Sequence, residues 1–149
     1  MNVPKSSFRS VQAGPEVPTL IDTNIAILIM NGAEEVLQRL SALSSMPLIS
    51  LVSRIELEGG VFAETDTMAR RRERVDALLN RLVVLPCDAE VVAAYADIVS
   101  VLGFSRRRVF DRLIAATALV NDLTLVTANG PDFRRVPGLK LEVWPAPTQ

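Results

Sequence analysis

The sequence predicts an α/β fold: a three-layer α/β/α sandwich with a mostly parallel central sheet. Short apolar segments alternate with longer segments of helical periodicity, which is the pattern of strands and helices in such domains. The short segments are apolar throughout, as expected for strands that are covered on both faces. The chain of 149 residues has the length of one domain. We expect residues 18–149 to form this domain and residues 1–17, which lack periodicity, to form a flexible N-terminal extension.

Local patterns predict each strand and helix. Apolar residues recur at helical spacing in 33–44, and Asp88 is placed to cap a helix whose apolar face reaches Leu102. Glycines weaken or end helices at Asn31-Gly32 and Gly59-Gly60. The predicted strands are 17–21, 48–50, 83–85, 123–127 and 141–143. The predicted helices are a segment from about 25 to the break at Asn31-Gly32, then 33–44, 51–62, 67–82, the segment after Asp88, and 110–121.

The composition excludes several kinds of catalytic site. The chain has no histidine, which removes Ser-His-Asp triads, Cys-His pairs, HExxH zinc sites and histidine acid–base catalysis. The single cysteine, Cys87, rules out an intramolecular disulfide and follows an apolar run, so we expect a buried, inert thiol. Any chemistry must therefore use carboxylates, hydroxyls, arginine or a bound ion.

Charge and hydropathy say less about partners and location. The net charge is −1, but fourteen of the sixteen basic residues are arginine, whose planar fork suits phosphate. A bias in codon usage explains this excess equally well. No apolar run approaches the roughly 18 residues that a membrane span requires, and residues 1–18 lack a secretory pattern. We therefore expect a cytoplasmic protein with no membrane partner.

Three acidic residues occupy places where α/β domains build their sites. Asp22 directly follows the first predicted strand and should lie at the carboxyl edge of the sheet, where open parallel sheets bind ligands. Glu56 lies about one turn into the helix after the second strand, and Asp111 begins a helix of small apolar residues. Each also has an ordinary explanation: a helix cap for Asp22, a solvated side chain for Glu56 and a favourable helix dipole for Asp111.

Polar residues after the late strand should reach the same edge of the sheet. Thr127 ends that strand and Asn129 follows it. Asp132 lies in the same Gly-Pro turn, where aspartate is also common for reasons of turn geometry. Near the first strand, Asn24 is as suitable a helix cap as Asp22, so capping alone does not require an acid at position 22.

Four blocks of sequence occur in the order and spacing of a known family. They are Leu20-Ile-Asp22-Thr-Asn24, Ser53-Arg-Ile-Glu56-Leu57, Asp111-Arg-Leu-Ile-Ala-Ala116 and Leu125-Val-Thr-Ala-Asn129-Gly-Pro-Asp132-Phe133. Together they resemble the PIN domain, and most closely the VapC-type toxins of bacterial toxin–antitoxin pairs. The similarity covers about residues 18–144, including Val136-Pro-Gly-Leu139 and Trp144.

The resemblance implies a metal-dependent endoribonuclease with Asp22, Glu56 and Asp111 as its first three acids. Many members of the family have aspartate at the position of Asn129, and others have asparagine there with an acid three residues later, which here is Asp132. The resemblance also implies a cognate antitoxin protein and a toxin homodimer. The residues expected to support the site are Thr23, Asn24, Thr127 and Asn129.

The chemistry of the acids agrees with this assignment. Mg²⁺ and Mn²⁺ take oxygen ligands, and a divalent cation relieves the repulsion among clustered carboxylates. Such an ion also promotes ionisation of water near neutral pH and contacts phosphate oxygens, so the reaction needs no histidine. We expect Asp22, Glu56 and Asp111 to lie within coordinating distance of a common point and to bind Mg²⁺ or Mn²⁺, with Asp132 as a fourth catalytic residue.

The arginines occur in blocks, and the block before Asp111 is the one expected to flank the acids. A basic rim around an acidic centre suits RNA, because phosphates dominate the affinity of RNA for proteins. The residues predicted to bind RNA are Arg106, Arg107, Arg108 and Arg112; the other blocks are Arg70, Arg71, Arg72 and Arg74, and Arg134 and Arg135. Solvated helix faces are the alternative explanation for all of them.

Two other functions stay open at this stage. A phosphotransfer domain of the haloacid dehalogenase or receiver type would also place Asp22 after the first strand, but position 24 is asparagine and the only late lysine is Lys140. A PIN-like domain that has lost catalysis and binds RNA or protein is the second alternative, and the asparagine at position 129 is its main support.

Overall fold

The computed structural model describes residues 17–145. The predicted N-terminal extension therefore lies, apart from Val17, outside the described residues. The strands are β1 (Thr19–Ile21), β2 (Leu48–Ser50), β3 (Val83–Leu85), β4 (Thr124–Thr127) and β5 (Lys140–Val143). The α-helices are α1 (Thr23–Met30), α2 (Glu34–Ser41), α3 (Leu51–Val61), α4 (Met68–Leu79), α5 (Ala89–Leu102) and α6 (Val109–Val120). Single 3-10 turns lie at Thr65–Thr67, Arg106–Arg108 and Gly130–Asp132.

All five strands belong to one parallel sheet in the order β3-β2-β1-β4-β5. The first strand is central, with Ile21 paired to Ile49 of β2 and to Val126 of β4. The residues that follow β1 and β4 therefore emerge side by side at the carboxyl edge of the sheet. This confirms the predicted parallel sheet and the predicted neighbourhood of Asp22 and Thr127.

Helices cover both faces of the sheet, because alternate residues of the strands enter different cores. Leu20 and Leu125 pack in one core with α5 and α6, whereas Ile21 and Val126 pack in the other with α1, α3 and α4. The first core is tight, since α6 contributes the fully buried small residues Ala115, Ala116 and Ala118. The three-layer α/β/α arrangement follows from this division.

Several local predictions are confirmed and some boundaries move. Asp88 caps α5 by accepting a hydrogen bond from the Val91 amide at 3.1 Å, as predicted. The helix predicted over 67–82 is shorter, because the chain must turn after Leu79 to begin β3. Cys87 is half-buried and packs against the core beside α5 and α6.

Within residues 17–145, no helix is long and apolar enough to cross a membrane.

Candidate active site

Asp22 lies at the carboxyl end of β1 and is 4% exposed. Its backbone is extended, and its Oδ1 caps α1 by accepting a hydrogen bond from the Ile25 amide at 2.9 Å. Its Oδ2 accepts a short hydrogen bond from the Thr127 hydroxyl. Burial raises the pKa of Asp22, as does repulsion from Glu56, while the bonds from Thr127 and the Ile25 amide oppose the rise. Asp22 is thus both a helix cap and a carboxylate of the site, so the two sequence interpretations are compatible.

Thr127 connects β4 to Asp22 and is fully buried. Its hydroxyl donates to Asp22 and accepts from the Asn129 amide at 2.9 Å, which uses both roles of a hydroxyl. Its carbonyl accepts from the Trp144 amide at 2.8 Å, and the Trp144 ring is almost fully buried. These contacts fix the position of Thr127 and, through it, the orientation of Asp22.

Glu56 comes from the middle of α3 and is half-buried. Its Oε1 lies 2.6 Å from the Thr23 hydroxyl, which in turn lies 2.8 Å from the hydroxyl of the buried residue Ser53. A hydroxyl carries one proton, so donation from Thr23 to the carboxylate leaves Ser53 to donate to Thr23. Thr23 was predicted to support the site. Ser53 was not, although a small polar residue three positions before Glu56 shares its helix face.

Asp111 stands in the first turn of α6 and is half-buried. The pKa of Asp111 is raised to about 6. Burial is the largest cause, and repulsion from Asp132, Glu56 and Asp22 adds to it in that order. The positive charge of Arg108 acts in the opposite direction. The charge of Asp111 therefore interacts with all three other predicted acids, which come from β1, α3 and the turn after β4.

Asp132 is held between two side chains in that turn. Its Oδ1 lies 2.9 Å from Arg108, and its Oδ2 accepts a hydrogen bond from the Asn129 side-chain amide. Asn129 is therefore a donor to an acid of the site. The turn itself depends on Gly130, because a Cβ there would lie 2.8 Å from a methyl group of Val143. A side chain at position 130 would force the Val143 and Arg134 side chains, or the turn that carries Asp132, to shift.

Carboxylate oxygens are suitable ligands for Mg²⁺ and Mn²⁺. After burial, repulsion from the other acids is the next cause that raises the pKa of Asp111, and a divalent cation would relieve this repulsion. The donor chemistry therefore fits such an ion. Within residues 17–145, however, no group of three or more acidic or cysteine side chains is arranged so that it could hold a metal ion. The prediction that the carboxylates of Asp22, Glu56 and Asp111 meet within coordinating distance is not met, so binding would require their side chains to move closer together.

The predicted RNA-binding arginines fall into three groups. Arg106 and Arg107 are exposed on the 3-10 turn before α6, as a basic rim requires. Arg108 is paired with Asp132. The prediction for Arg112 is wrong: this residue is 8% exposed and its guanidinium donates to the Gly103 carbonyl, at the end of α5. Arg112 follows Asp111 on α6, but the helix turns its side chain towards the neighbouring helix.

The structure also settles two roles that the sequence left open, namely Asn24 as a helix cap and Lys140 as the lysine of a receiver-type site. Asn24 is exposed in the first turn of α1, and the cap of this helix is Asp22. Lys140 forms an ion pair with Asp122 at 2.7 Å. Lys140 begins β5 and Asp122 precedes β4, so this pair lies at the amino edge of the sheet, opposite Asp22. A receiver-type site needs this lysine beside Asp22, and the fold excludes it.

The chain is similar in sequence and in structure to proteins of one known family. The family model of the PIN domain matches residues 19–139. The tRNA(fMet)-specific endonuclease VapC of Shigella flexneri is 35% identical over 129 residues, which are 84% of this chain and 96% of that protein. Ribonuclease VapC2 of Rickettsia felis is 28% identical over 130 residues, which are 84% of this chain and 96% of that protein. The crystal structure of DNA-bound VapBC from Salmonella typhimurium has a TM-score of 0.76 at 27% identity, covering 87% of this chain and 99% of that chain. The chain belongs to the PIN domain family.

Proposed function

We propose that this chain is a Mg²⁺- or Mn²⁺-dependent endoribonuclease that hydrolyses RNA phosphodiester bonds at its acidic cluster. The observation that carries the proposal is the electrostatic coupling of Asp111 to Asp22, Glu56 and Asp132, four acids that four separate parts of the chain bring to one edge of the sheet. Such a cluster is costly without a cation and therefore has a function other than stability. The ribonuclease names of the relatives support RNA as the substrate.

The protein's own groups would position the acids for this reaction. Thr127 and the amino end of α1 hold both oxygens of Asp22, and the Thr23 hydroxyl holds one oxygen of Glu56. Asp22, Glu56 and Asp111 would bind the cation, which stabilises phosphate charge and promotes ionisation of water. Hydrolysis breaks one bond from phosphorus to a bridging oxygen; water supplies a hydroxyl group to phosphorus and a proton to the departing oxygen. Arg106 and Arg107 would contact the RNA backbone beside the site.

We also propose that the chain is the toxin of a toxin–antitoxin pair. The support is its similarity to chains of the VapBC structures from Salmonella typhimurium and Rickettsia felis, and to a chain of a toxin–antitoxin complex from Klebsiella pneumoniae. An antitoxin of the VapB kind would then be its protein partner. The homodimer that the family resemblance implies stays a prediction, which light scattering of the isolated chain would test.

Two alternatives have less support. A phosphotransfer role of the receiver type needs a lysine beside Asp22, whereas Lys140 lies at the opposite edge of the sheet, and the haloacid dehalogenase pattern needs an acid at position 24, which is asparagine. A PIN-like binding module without catalysis was suggested by asparagine at position 129. Asp132 lies in the same turn as Asn129, and its charge repels that of Asp111, so the site does not lack a fourth acid.

A cleavage assay tests the proposed activity. Purified protein would be mixed with 5′-labelled RNA and with total tRNA, in Mn²⁺ or in EDTA, and the products separated by size. We expect internal cleavage by the wild type in Mn²⁺ and by Asp97→Asn, which removes an exposed acid on α5, away from the site. We expect no cleavage in EDTA or by Asp111→Asn. Wild-type protein that binds these RNAs but leaves them intact in Mn²⁺ would support the binding module instead.

A further inference from the structure

A cleft of about 380 Å³ lies beside the acidic cluster, between α1, α3 and α4, and its volume is in the range of small-ligand sites. We call it the α4 cleft. Its floor is apolar and includes Leu57, Val61 and Val75, and its wall on α1 is formed by Ile27 and Met30. Glu56 lines it as well, so the cleft reaches one acid of the cluster.

Two arginines on the rim of this cleft have no charged partner in the described part of the chain. Arg71 and Arg72, which lie between them, are engaged: Arg71 pairs with Glu64, and Arg72 pairs with Glu58 and Asp76. Arg70 and Arg74 are exposed, lie one helical turn apart on α4, and form no ion pair among residues 17–145. Their positive charges therefore face a cleft whose single acidic lining residue, among the described residues, is Glu56.

A hydroxyl on the same surface also lacks a partner. The Thr67 Oγ1 atom is buried and makes no hydrogen bond within residues 17–145, and Thr67 lines the α4 cleft. Most buried polar groups are hydrogen-bonded in native proteins, so an exception next to a cleft points to a ligand or a bound water there. Thr67 lies one turn before Arg70 and Arg71, at the start of α4.

We propose that the α4 cleft binds the RNA strand next to the bond that is cleaved, with phosphates on Arg70 and Arg74 and a base or ribose on the apolar floor. This inference rests on the proposed endoribonuclease function. A substrate chain must continue beyond the acidic cluster, and this cleft reaches Glu56 and combines cations for phosphate with apolar area for a nucleoside. Arg70 and Arg74 also supply positive charge for RNA phosphates, which Arg112 cannot do because it is buried and Arg108 cannot do because it is paired with Asp132.

The charge of the rim is tested by RNA binding in a background that does not cleave. Fluorescence anisotropy of a labelled single-stranded RNA would be measured from low to high salt for Asp111→Asn alone and with Arg70→Glu and Arg74→Glu. The matched control is Asp111→Asn with Arg39→Glu and Arg81→Glu, which changes the net charge equally at exposed residues outside the cleft. Loss of two phosphate contacts should lower the slope of log affinity against log salt by about 1.4 and weaken binding at least about 10-fold at low salt.

The outcomes separate this inference from the function on which it rests. Equal affinity and equal salt slope for the cleft variant and the control would overturn the RNA site, and would leave the cleft to a protein or peptide partner. Ile27→Ala should weaken RNA binding a few-fold without changing the salt slope, because it removes apolar contact and no charge. An unchanged affinity in Ile27→Ala would contradict the nucleoside contact. Cleavage of RNA by the wild type in Mn²⁺ reports on the endoribonuclease proposal independently.

Discussion

Asp22 and Asp132 are held in the same site by different kinds of structure. Asp22 is 4% exposed, and its two oxygens accept from a helix amide and from a buried threonine. The side chain of Asp132 is 28% exposed, and its partners are Arg108, whose side chain is 42% exposed, and the exposed Asn129. Strand pairing and a helix cap thus determine the orientation of Asp22, whereas side chains with room to move determine that of Asp132. Changes at the two acids should therefore differ in both activity and stability.

The largest difference should appear in cleavage. Asp22→Asn removes one of the proposed cation-binding carboxylates, so RNA cleavage should fall on the order of 10³-fold at every Mn²⁺ concentration. Asp132→Ala should reduce the affinity for Mn²⁺ about 10–100-fold, because Asp132 would act on the cation without binding it directly. RNA cleavage by this variant should therefore recover at high Mn²⁺. A Mn²⁺ dependence of the cleavage rate for both variants measures this. Cleavage by Asp22→Asn that recovers at high Mn²⁺, or an unchanged Mn²⁺ dependence in Asp132→Ala, would contradict the different roles assigned to the two acids.

A smaller difference is expected in stability. Thr127→Val keeps the shape of a buried residue but leaves an oxygen of Asp22 and the Asn129 amide without their partner, so the free energy of unfolding should fall by about 1–3 kcal/mol. Asn129→Ala removes an exposed side chain and should cost less than about 0.5 kcal/mol. Urea unfolding of both variants in EDTA provides the comparison. Equal losses would show that the turn is as firmly fixed as the strand edge.

The smallest expected effect is a pH dependence of stability. The pKa of Asp111 is raised from 3.8 to about 6 in the folded protein, chiefly by burial. Protonation of Asp111 therefore favours folding, and this contribution is complete below about pH 4 and lost as the pH rises through about 6. Without a cation, Asp111→Asn should be more stable than the wild type by about 1 kcal/mol at pH 7.5, a value reduced for screening of this partly exposed group. The difference should vanish near pH 4, and a difference that is constant over this range would contradict the raised pKa of Asp111.

The sequence predicted the strand-edge part of the site better than the turn. Asp22 follows β1 and Thr127 ends β4, and parallel pairing of these neighbouring strands brings the two residues together whatever their side chains do. Ser53 was not predicted, and neither was the pairing of Arg108 with Asp132, because both contacts depend on which rotamers meet across elements far apart in the sequence. Asn129 was predicted to support the site, but its hydrogen bond to Asp132 was not. The sequence order of the arginines was similarly uninformative, since Arg112 and Arg108 lie four residues apart but one packs against the Gly103 carbonyl and the other pairs with Asp132.

The most direct test of the acidic cluster is a calorimetric titration of Mn²⁺ into the wild type, Asp111→Asn and Asp97→Asn. If the cluster binds a divalent cation, the wild type and Asp97→Asn should show the same binding, because Asp97 is an exposed acid on α5 outside the site. Asp111→Asn should bind Mn²⁺ at least about 100-fold more weakly, since it loses a carboxylate whose charge is coupled to the three other acids. Indistinguishable titrations of the wild type and Asp111→Asn would contradict a metal site at the carboxyl edge of this sheet.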